Sequence, residues 1–270
     1  MKLAAISDIH GNLPALQAVL ADIEQQGVDQ IVNLGDILSG PLQPAETADW
    51  LMARNFTTIR GNHERQVLAL IDQGQYLDPL GTDGYTAGQL GSAHVAWIRS
   101  LPESLVLAGG DILLCHGTPS SDLVYWLETT VPGFAGGGSG HATGIRPATA
   151  DEVHERLGAT AQAGHSLVLC GHTHVPRMVQ CGDVLIANPG SVGLQAYDDE
   201  HPHPHVVENG APHARYAIAE KTGAGWRVDM RAVPYDHLSQ SRVAAGRGRA
   251  DWAHALATGW VRRTPVATAP

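Results

Sequence analysis

The chain has 270 residues, of which 43% are hydrophobic and 16% charged, a composition typical of a globular protein and not of a disordered one. The formal net charge of −10 argues against long nucleic acid as a partner. The odd, sparse set of three cysteines predicts a reducing compartment and therefore a cytoplasmic protein. The N-terminal apolar run is too short for a signal peptide or a membrane span, so we expect no membrane partner.

The first quarter of the chain alternates predicted strands and helices. Strands are predicted at 2–6, 30–36 and 57–63, and helices at 13–27, 46–54 and 64–72. Asn12 is a good N-cap for the first helix. This alternation predicts βαβ units and a mainly parallel sheet.

The pattern changes after Ser104, where further strands are predicted without long helices between them. A hairpin turning at Gly109-Gly110 is predicted over 105–117. Apolar runs follow at 166–172 and 183–191, and a final antiparallel pair is predicted at 215–221 and 226–233. We therefore expect two sheets stacked face to face with helices outside.

Two segments predict long loops within a single domain over 1–238. Residues 118–150 are rich in glycine and residues 195–213 are polar and rich in proline. We expect both to form walls or a lid of a binding pocket, and we interpret His201, His203 and His205 as part of a solvated loop instead of a metal store. Residues 239–270 predict a C-terminal helical extension, with a helix at 249–256, and a frayed tail.

Polar side chains follow five of the predicted strands, where "SDIH", "LGD", "RGNHE", "CHG" and "CGHTH" end apolar runs. Ligands bind at the carboxyl ends of the strands in α/β sheets. A single Asp there is more often a cap and a single His more often a structural residue. The ordered set of Asp, Asn and His is difficult to explain by caps and predicts one shared site.

This ordered series resembles the calcineurin-like metallophosphoesterase superfamily over about residues 3–193. It is most similar to the small bacterial phosphodiesterases, in which "NPGSVG", here 188–193, also follows the paired histidines. The resemblance implies an α/β fold, a four-layer α/β/β/α sandwich of two mixed sheets flanked by helices. This agrees with the two sheets predicted from the strand pattern.

The resemblance implies two divalent transition-metal ions per chain. Imidazole and carboxylate ligands suit Mn, Fe or Zn. By the family pattern the first ion is held by Asp8, His10 and His174, the second by Asn62, His116 and His172, and Asp36 bridges both. Asp8 and His10 are two residues apart, so we expect them on the same side of an extended chain. Asn62 contributes an oxygen without a charge, which leaves the site attractive to an anionic ester.

The resemblance implies a hydrolase of phosphate esters, and a phosphodiesterase is favoured. A metal-bridging hydroxide would be the nucleophile, and a small phosphate ester the substrate. His63 would lie beside the metals and act as general acid. The alternatives are a non-catalytic metal-binding scaffold and a slow nucleotide-binding regulator. The chain keeps His63 and every matched ligand, which weakens the scaffold alternative.

The chain departs from the family's protein serine/threonine phosphatases after Asp36. Those enzymes have an Asp-Arg-Gly shortly after the Gly-Asp motif, whereas this chain continues "ILSGPLQP". The acid that orients the catalytic His and the Arg that binds phosphate are therefore missing at that place, which disfavours a phosphoprotein phosphatase. Arg60 and Ser191 are the candidate substrate-binding residues.

Overall fold

The computed structural model describes residues 1–74, 78, 80–134 and 143–262. The predicted frayed tail beyond residue 262 and the centre of the first predicted loop, residues 135–142, lie outside the described residues.

The described part of the chain contains fourteen strands and eight α-helices. The strands are β1 (Lys2–Ile6), β2 (Gln30–Asn33), β3 (Thr57–Thr58), β4 (Ser104–Leu107), β5 (Ile112–Cys115), β6 (Glu128–Thr130), β7 (Ile145–Pro147), β8 (Leu167–Leu169), β9 (Arg177–Cys181), β10 (Val184–Asn188), β11 (Ala196–Asp199), β12 (His205–Glu208), β13 (Ala214–Thr222) and β14 (Gly225–Val233). The helices are α1 (Leu13–Glu24), α2 (Pro44–Met52), α3 (Asn62–Asp72), α4 (Thr82–Gln89), α5 (Ser92–Ser100), α6 (Ala150–Leu157), α7 (His237–Gly246) and α8 (Ala250–Thr258).

Two five-stranded mixed sheets form the centre of the molecule, in the orders β14-β13-β1-β2-β3 and β4-β5-β8-β10-β9. The strands β1, β2 and β3 run parallel to one another, as do β5, β8 and β10. The hairpin β4–β5 and the antiparallel pair β13–β14 are as predicted. Parallel strands covered on both faces are apolar on both, which explains the continuous apolar runs in the sequence.

Alternate side chains of the central strands face different layers. Leu3 and Ala5 of β1 pack between the sheets, against Leu114 and Leu169 of the second sheet. Ala4 and Ile6 face the other way and pack with α1. On the far side of the second sheet, Val153 and Leu157 of α6 cover its outer face. The predicted four-layer α/β/β/α sandwich is confirmed.

The two segments predicted as long loops contain short strands. Strands β6 and β7 pair antiparallel within 118–150, and β11 and β12 pair antiparallel within 195–213. The interpretation of His205 as part of a solvated loop is wrong, because its side chain is buried in β12. Periodicity did not show these strands because each has only three or four residues, too few to display alternation.

The C-terminal segment packs against the carboxyl ends of the first sheet. Helix α8 is close to the predicted 249–256, whereas α7 was not predicted. Trp252 of α8 is buried with Leu42, Leu194 and Ala196. The domain boundary at 238 stays a prediction. Helix α8 nevertheless packs against side chains that precede this boundary.

Among the described residues, every helix is too short or too polar to cross a lipid bilayer.

The packing of α8 generates a stability prediction. Trp252 is 6% exposed, so Trp252→Ala should lower the free energy of unfolding by about 3–5 kcal/mol through lost contacts and a new cavity. The matched control is Trp260→Ala, since Trp260 is 50% exposed and its removal should change stability by no more than about 0.5 kcal/mol. Urea unfolding followed by circular dichroism measures both. Equal losses for the two variants would contradict the packing described.

Candidate metal centre

The structure brings the sequence-predicted ligands together at the carboxyl ends of the central strands. Two groups each place three ligand atoms within 4.8 Å of one another. The first group is Asp8, His10 and His174, and the second is Asp36, His116 and His172. Asn62 joins the second group through its Oδ1, which lies 3.0 Å from His116 Nε2. This grouping is the one that the resemblance implied.

The backbone at these residues is left-handed. Among the described residues, six non-glycine positions have positive φ, and five of them are candidate ligands: Asp8, His10, Asp36, His172 and His174. The expectation that Asp8 and His10 lie on an extended chain is therefore wrong, since β1 ends at Ile6 and φ is 55° and 51° at the two residues. Non-glycine residues rarely adopt the left-handed backbone region, and residues that do so are concentrated at functional sites.

In the first group, the hydrogen bonds of the histidine rings leave nitrogen and oxygen lone pairs directed at one another. His10 Nδ1 donates to the carbonyl of Ser39 at 2.7 Å, and His174 Nδ1 donates to the carbonyl of Leu194 at 2.7 Å. In the neutral rings both Nε2 atoms then carry lone pairs, and they face each other at 3.1 Å. Asp8 Oδ1 is buried with no hydrogen-bond partner in the described structure. Burial lowers the pKa of His10 to about 3, which keeps its ring neutral.

The second group has the same organisation. His116 Nδ1 donates to the carbonyl of Leu34 at 2.8 Å, and the ring of His172 is hydrogen-bonded to the backbone of Leu123. His116 Nε2 lies 3.0 Å from both Asp36 Oδ2 and Asn62 Oδ1, two oxygens that accept only. Burial opposes the charged form of His116, but Asp36 outweighs it and raises the pKa to about 9.

These features test whether the residues suit a pair of metal ions, and they do. A cation between these ligand atoms would satisfy their lone pairs, because an unpaired carboxylate or imidazole lone pair is costly away from water. Donation from Nδ1 to a carbonyl fixes the tautomer that directs Nε2 at a metal. Nitrogen and oxygen ligands in this proportion suit Zn, Mn or Fe.

Glu64 holds two of the ligand-bearing loops in place. Its carboxylate accepts hydrogen bonds from the backbone N–H groups of Asp36 at 2.9 Å, Ile37 at 2.7 Å and Gly61 at 2.9 Å. It therefore joins the loop after β2 to the loop after β3. Gly61 is required at this junction because a Cβ there would lie 2.7 Å from the backbone nitrogen of Asp36. The sequence analysis assigned no role to Glu64.

His63 lies beside the metal ligands and is oriented by Asp83. His63 Nδ1 donates to Asp83 Oδ1 at 2.8 Å, and Ser39 Oγ also donates to that carboxylate. Burial alone would lower the pKa of His63, but the carboxylates of Asp36 and Asp83 outweigh it and raise the pKa to about 10. Asp83 supplies the acid that was missing after Asp36. It comes from α4, a glycine-containing helix with no clear apolar period, so sequence patterning gave no signal for it.

The structure does not bring Arg60 or Ser191 to an open position in the site. Arg60 forms an ion pair with Glu103, with Nη2 2.5 Å from Oε1. Ser191 is buried, donates from Oγ to the carbonyl of Asp8 at 2.8 Å and accepts from the N–H of Leu194 at 2.8 Å. Ser191 therefore positions the loop that carries Asp8.

A cavity of about 1150 Å³ opens from the two ligand groups. Its walls come from both segments that were predicted as loops and from the C-terminal extension. The lining outside the ligand groups includes Leu123, Val124, Tyr125, Tyr197, Asp198, Asp199, Arg249, Asp251 and Trp252. Trp252 lies edge-on to His10, with ring centroids 5.9 Å apart. Six of these residues lie in the segments 118–150 and 195–213 that were expected to form walls. The sequence did not single out individual residues there, and it gave no signal for Arg249, Asp251 and Trp252.

A four-layer sandwich with two such ligand groups at one sheet edge defines a class of protein that could hold two metal ions for hydrolysis. A model of the calcineurin-like phosphoesterase superfamily domain matches residues 1–208. The chain therefore belongs to the calcineurin-like phosphoesterase superfamily, and its family and relatives identify it as a phosphoesterase.

Three relatives illustrate the similarity. The phosphodiesterase YfcE of Escherichia coli K12 is 28% identical over 204 residues, which cover 72% of this chain and 80% of YfcE. An uncharacterised protein of Methanocaldococcus jannaschii is 24% identical over 241 residues, 87% of this chain and 88% of that protein. The crystal structure of a metallophosphoesterase from Sphaerobacter thermophilus superposes with a TM-score of 0.71 at 25% identity, covering 96% of this chain and 100% of the other.

The role of Glu64 generates the prediction for this site. Glu64 is 2% exposed, and in Glu64→Gln the amide NH₂ would face backbone N–H groups that need an acceptor. The free energy of unfolding should fall by about 1–3 kcal/mol, and metal affinity should fall because Asp36 moves. The matched control is Glu155→Gln on the exposed face of α6, which should change neither. Chemical unfolding and metal titration measure the two effects, and a Glu64→Gln variant identical to wild type in both would contradict the account.

Proposed function

We propose that this chain is a dinuclear metal-dependent phosphodiesterase that acts on small phosphate esters. The observation that carries the proposal is the pair of largely buried ligand groups, each bringing two imidazoles and a carboxylate within 4.8 Å of one another beside an open cavity. The similarity to YfcE, a phosphodiesterase by name, supports the same activity.

Two divalent ions of Mn, Fe or Zn would supply Lewis-acid stabilisation of the phosphoryl group and an activated water for attack at phosphorus. Asp8, His10 and His174 would hold one ion, and Asn62, His116 and His172 the other. Asp36 would bridge the two. Its Oδ1 accepts from the backbone N–H of His63 at 3.0 Å, so the proposed bridge also fixes the start of α3.

His63 would be the general acid for the leaving group. Its Nδ1 is held by Asp83, which leaves Nε2 as the nitrogen free to donate a proton to a departing oxygen in the cavity. An alkoxide leaves slowly unless it is protonated as the bond breaks. Asp83 would be a positioning residue, because it fixes the ring and favours its protonated form without touching the substrate.

The first prediction of this proposal concerns metal content. Elemental analysis after loading with Mn, Fe or Zn should give two ions per chain. Asp36→Asn keeps the size of the side chain but removes the bridging charge, so it should hold fewer than one ion per chain. Asp183→Asn, on an exposed turn between β9 and β10, is the control and should keep two. A wild-type value near zero with all three metals would contradict the proposal.

The second prediction separates an acid from a structural role for His63. His63→Ala should lower kcat for alkyl phosphodiesters by about 10²–10⁴-fold and lower kcat for 4-nitrophenyl esters much less, because nitrophenolate leaves without protonation. Asp83→Asn should show the same pattern with a smaller loss. Metal content is measured in parallel. An equal loss on both ester types, or a loss explained by missing metal, would show that His63 is not the acid. Absence of any turnover with both ions bound would favour the scaffold alternative.

A further inference from the structure

Three side chains from the segments first predicted as loops form a hydrogen-bonded chain beside the metal ligands. Tyr125 Oη lies 2.9 Å from His205 Nε2 and 2.8 Å from Tyr197 Oη. The ring of Tyr125 packs on His172 and the ring of Tyr197 packs on His174, each with centroids 4.7 Å apart. Each of the two ligand groups therefore has one histidine in contact with a tyrosine ring.

The direction of these hydrogen bonds follows from the buried end of the chain. His205 is 1% exposed, and its Nδ1 lies 2.8 Å from the carbonyl of His203, which can only accept. Nδ1 therefore carries the proton. With the proton on Nδ1, the other nitrogen of the imidazole, Nε2, is an acceptor and receives the hydrogen of Tyr125. Tyr125 has spent its only hydrogen, so it accepts the hydrogen of Tyr197.

Tyr197 is the last residue of this hydrogen-bonded series, at the end away from His205, and it lines the cavity together with Tyr125. The carbonyl of His172 also lies 3.4 Å from Tyr197 Oη, but Tyr125 Oη is closer, at 2.8 Å, and has no hydrogen left to donate. The Tyr197 hydrogen therefore goes to Tyr125, and its oxygen offers only lone pairs to a ligand. The cavity beside it is lined by further acceptors, the carboxylates of Asp198 and Asp199. Asp199 is already engaged, because its Oδ1 accepts from the N–H of His201 at 2.9 Å. The uncharged oxygen of Tyr197 suits a hydroxyl group as donor.

The cavity also has apolar side chains that suit an uncharged organic group. Leu123, Val124 and Trp252 are among its lining residues. Arg249 is not free to bind a second phosphate, because its Nη2 pairs with Asp251 at 2.6 Å and its Nη1 donates to the carbonyl of Leu80 at 3.1 Å and to Thr82 Oγ1 at 3.0 Å. Arg262 also lines the cavity, as do the carboxylates of Asp198 and Asp199.

We propose that the Tyr197–Tyr125–His205 chain selects phosphodiesters whose organic group carries a hydroxyl, as in a polyol or a sugar. Tyr197 would accept a hydrogen bond from that hydroxyl while the phosphate lies at the metals. This inference rests on the proposed phosphodiesterase function and names the substrate class of the same site.

The test uses three 4-nitrophenyl phosphodiesters whose second ester group has the same number of heavy atoms. The groups are pentyl, 4-hydroxybutyl and 3-methoxypropyl, which offer respectively no polar atom, a hydroxyl donor and an acceptor alone. With Mn-loaded protein, kcat/KM for the hydroxybutyl ester should exceed that of each other ester by about three- to tenfold. The methoxypropyl ester should gain nothing over pentyl, because Tyr197 has no hydrogen to offer.

Variants assign the preference to the hydrogen-bonded chain. Tyr197→Phe should bring the hydroxybutyl-to-pentyl ratio close to one. Tyr125→Phe releases the hydrogen of Tyr197 and should reduce the hydroxybutyl-to-methoxypropyl ratio, an effect that a purely structural role of Tyr125 would not produce. The matched control is Tyr216→Phe in β13, outside the cavity lining, which should keep the wild-type ratios.

Binding provides a readout that does not depend on turnover. Calorimetric titration of the loaded protein with pentyl-, 4-hydroxybutyl- and 3-methoxypropylphosphonate should show the same order of affinity. Equal kcat/KM values for the three esters, or ratios unchanged in Tyr197→Phe, would overturn this inference and leave the phosphodiesterase proposal standing. Absence of turnover of all three esters would overturn the phosphodiesterase proposal itself.

Discussion

The left-handed backbone at the strand ends is the constraint on which the rest of the site depends. Five candidate ligands adopt positive φ, a conformation that non-glycine residues avoid unless their surroundings impose it. Those surroundings include the Glu64 carboxylate, which accepts N–H groups from two loops. They also include Gly193, whose N–H donates to the carbonyl of Asp8 at 3.0 Å. The sheets bring the strand ends together, and these loop contacts turn the side chains inward.

The carbonyl partners of the histidines convert this geometry into ligand chemistry. Because Nδ1 of His10, His116 and His174 donates to a backbone carbonyl, the tautomer of each neutral ring is fixed and Nε2 is presented to the site. The orientation of each of these three histidine rings is thus set by a main-chain carbonyl from another segment. Asn62 in the second group adds an oxygen without cancelling positive charge, so two divalent ions would leave the site attractive to an anionic ester.

The strand pattern and the residue types at strand ends predicted two stacked sheets and one shared polar site. The four-layer sandwich and the division of the ligands into two groups came from the resemblance to the superfamily. The sequence did not predict the orientation of His63 by Asp83, because Asp83 lies in α4, whose sequence shows no clear apolar period. The extended conformation expected at Asp8 and His10 was wrong because loop hydrogen bonds override the local preference of the chain. The cavity walls at Tyr197 and Trp252 depend on how short strands and a terminal helix dock, which spacing does not encode.

The central claim is that the chain holds two metal positions. They are defined by imidazole ligands, and in His10, His116 and His174 the Nδ1 atom is bound to a main-chain carbonyl so that Nε2 is left for the metal. Anomalous diffraction from a crystal of Zn- or Mn-loaded protein, measured at the absorption edge of the metal, tests it most directly. The account predicts two peaks per chain, one about 2.0–2.2 Å from Nε2 of His10 and His174 and the other at that distance from Nε2 of His116 and His172. A single peak, or coordination through Nδ1 with the carbonyl bonds broken, would contradict it.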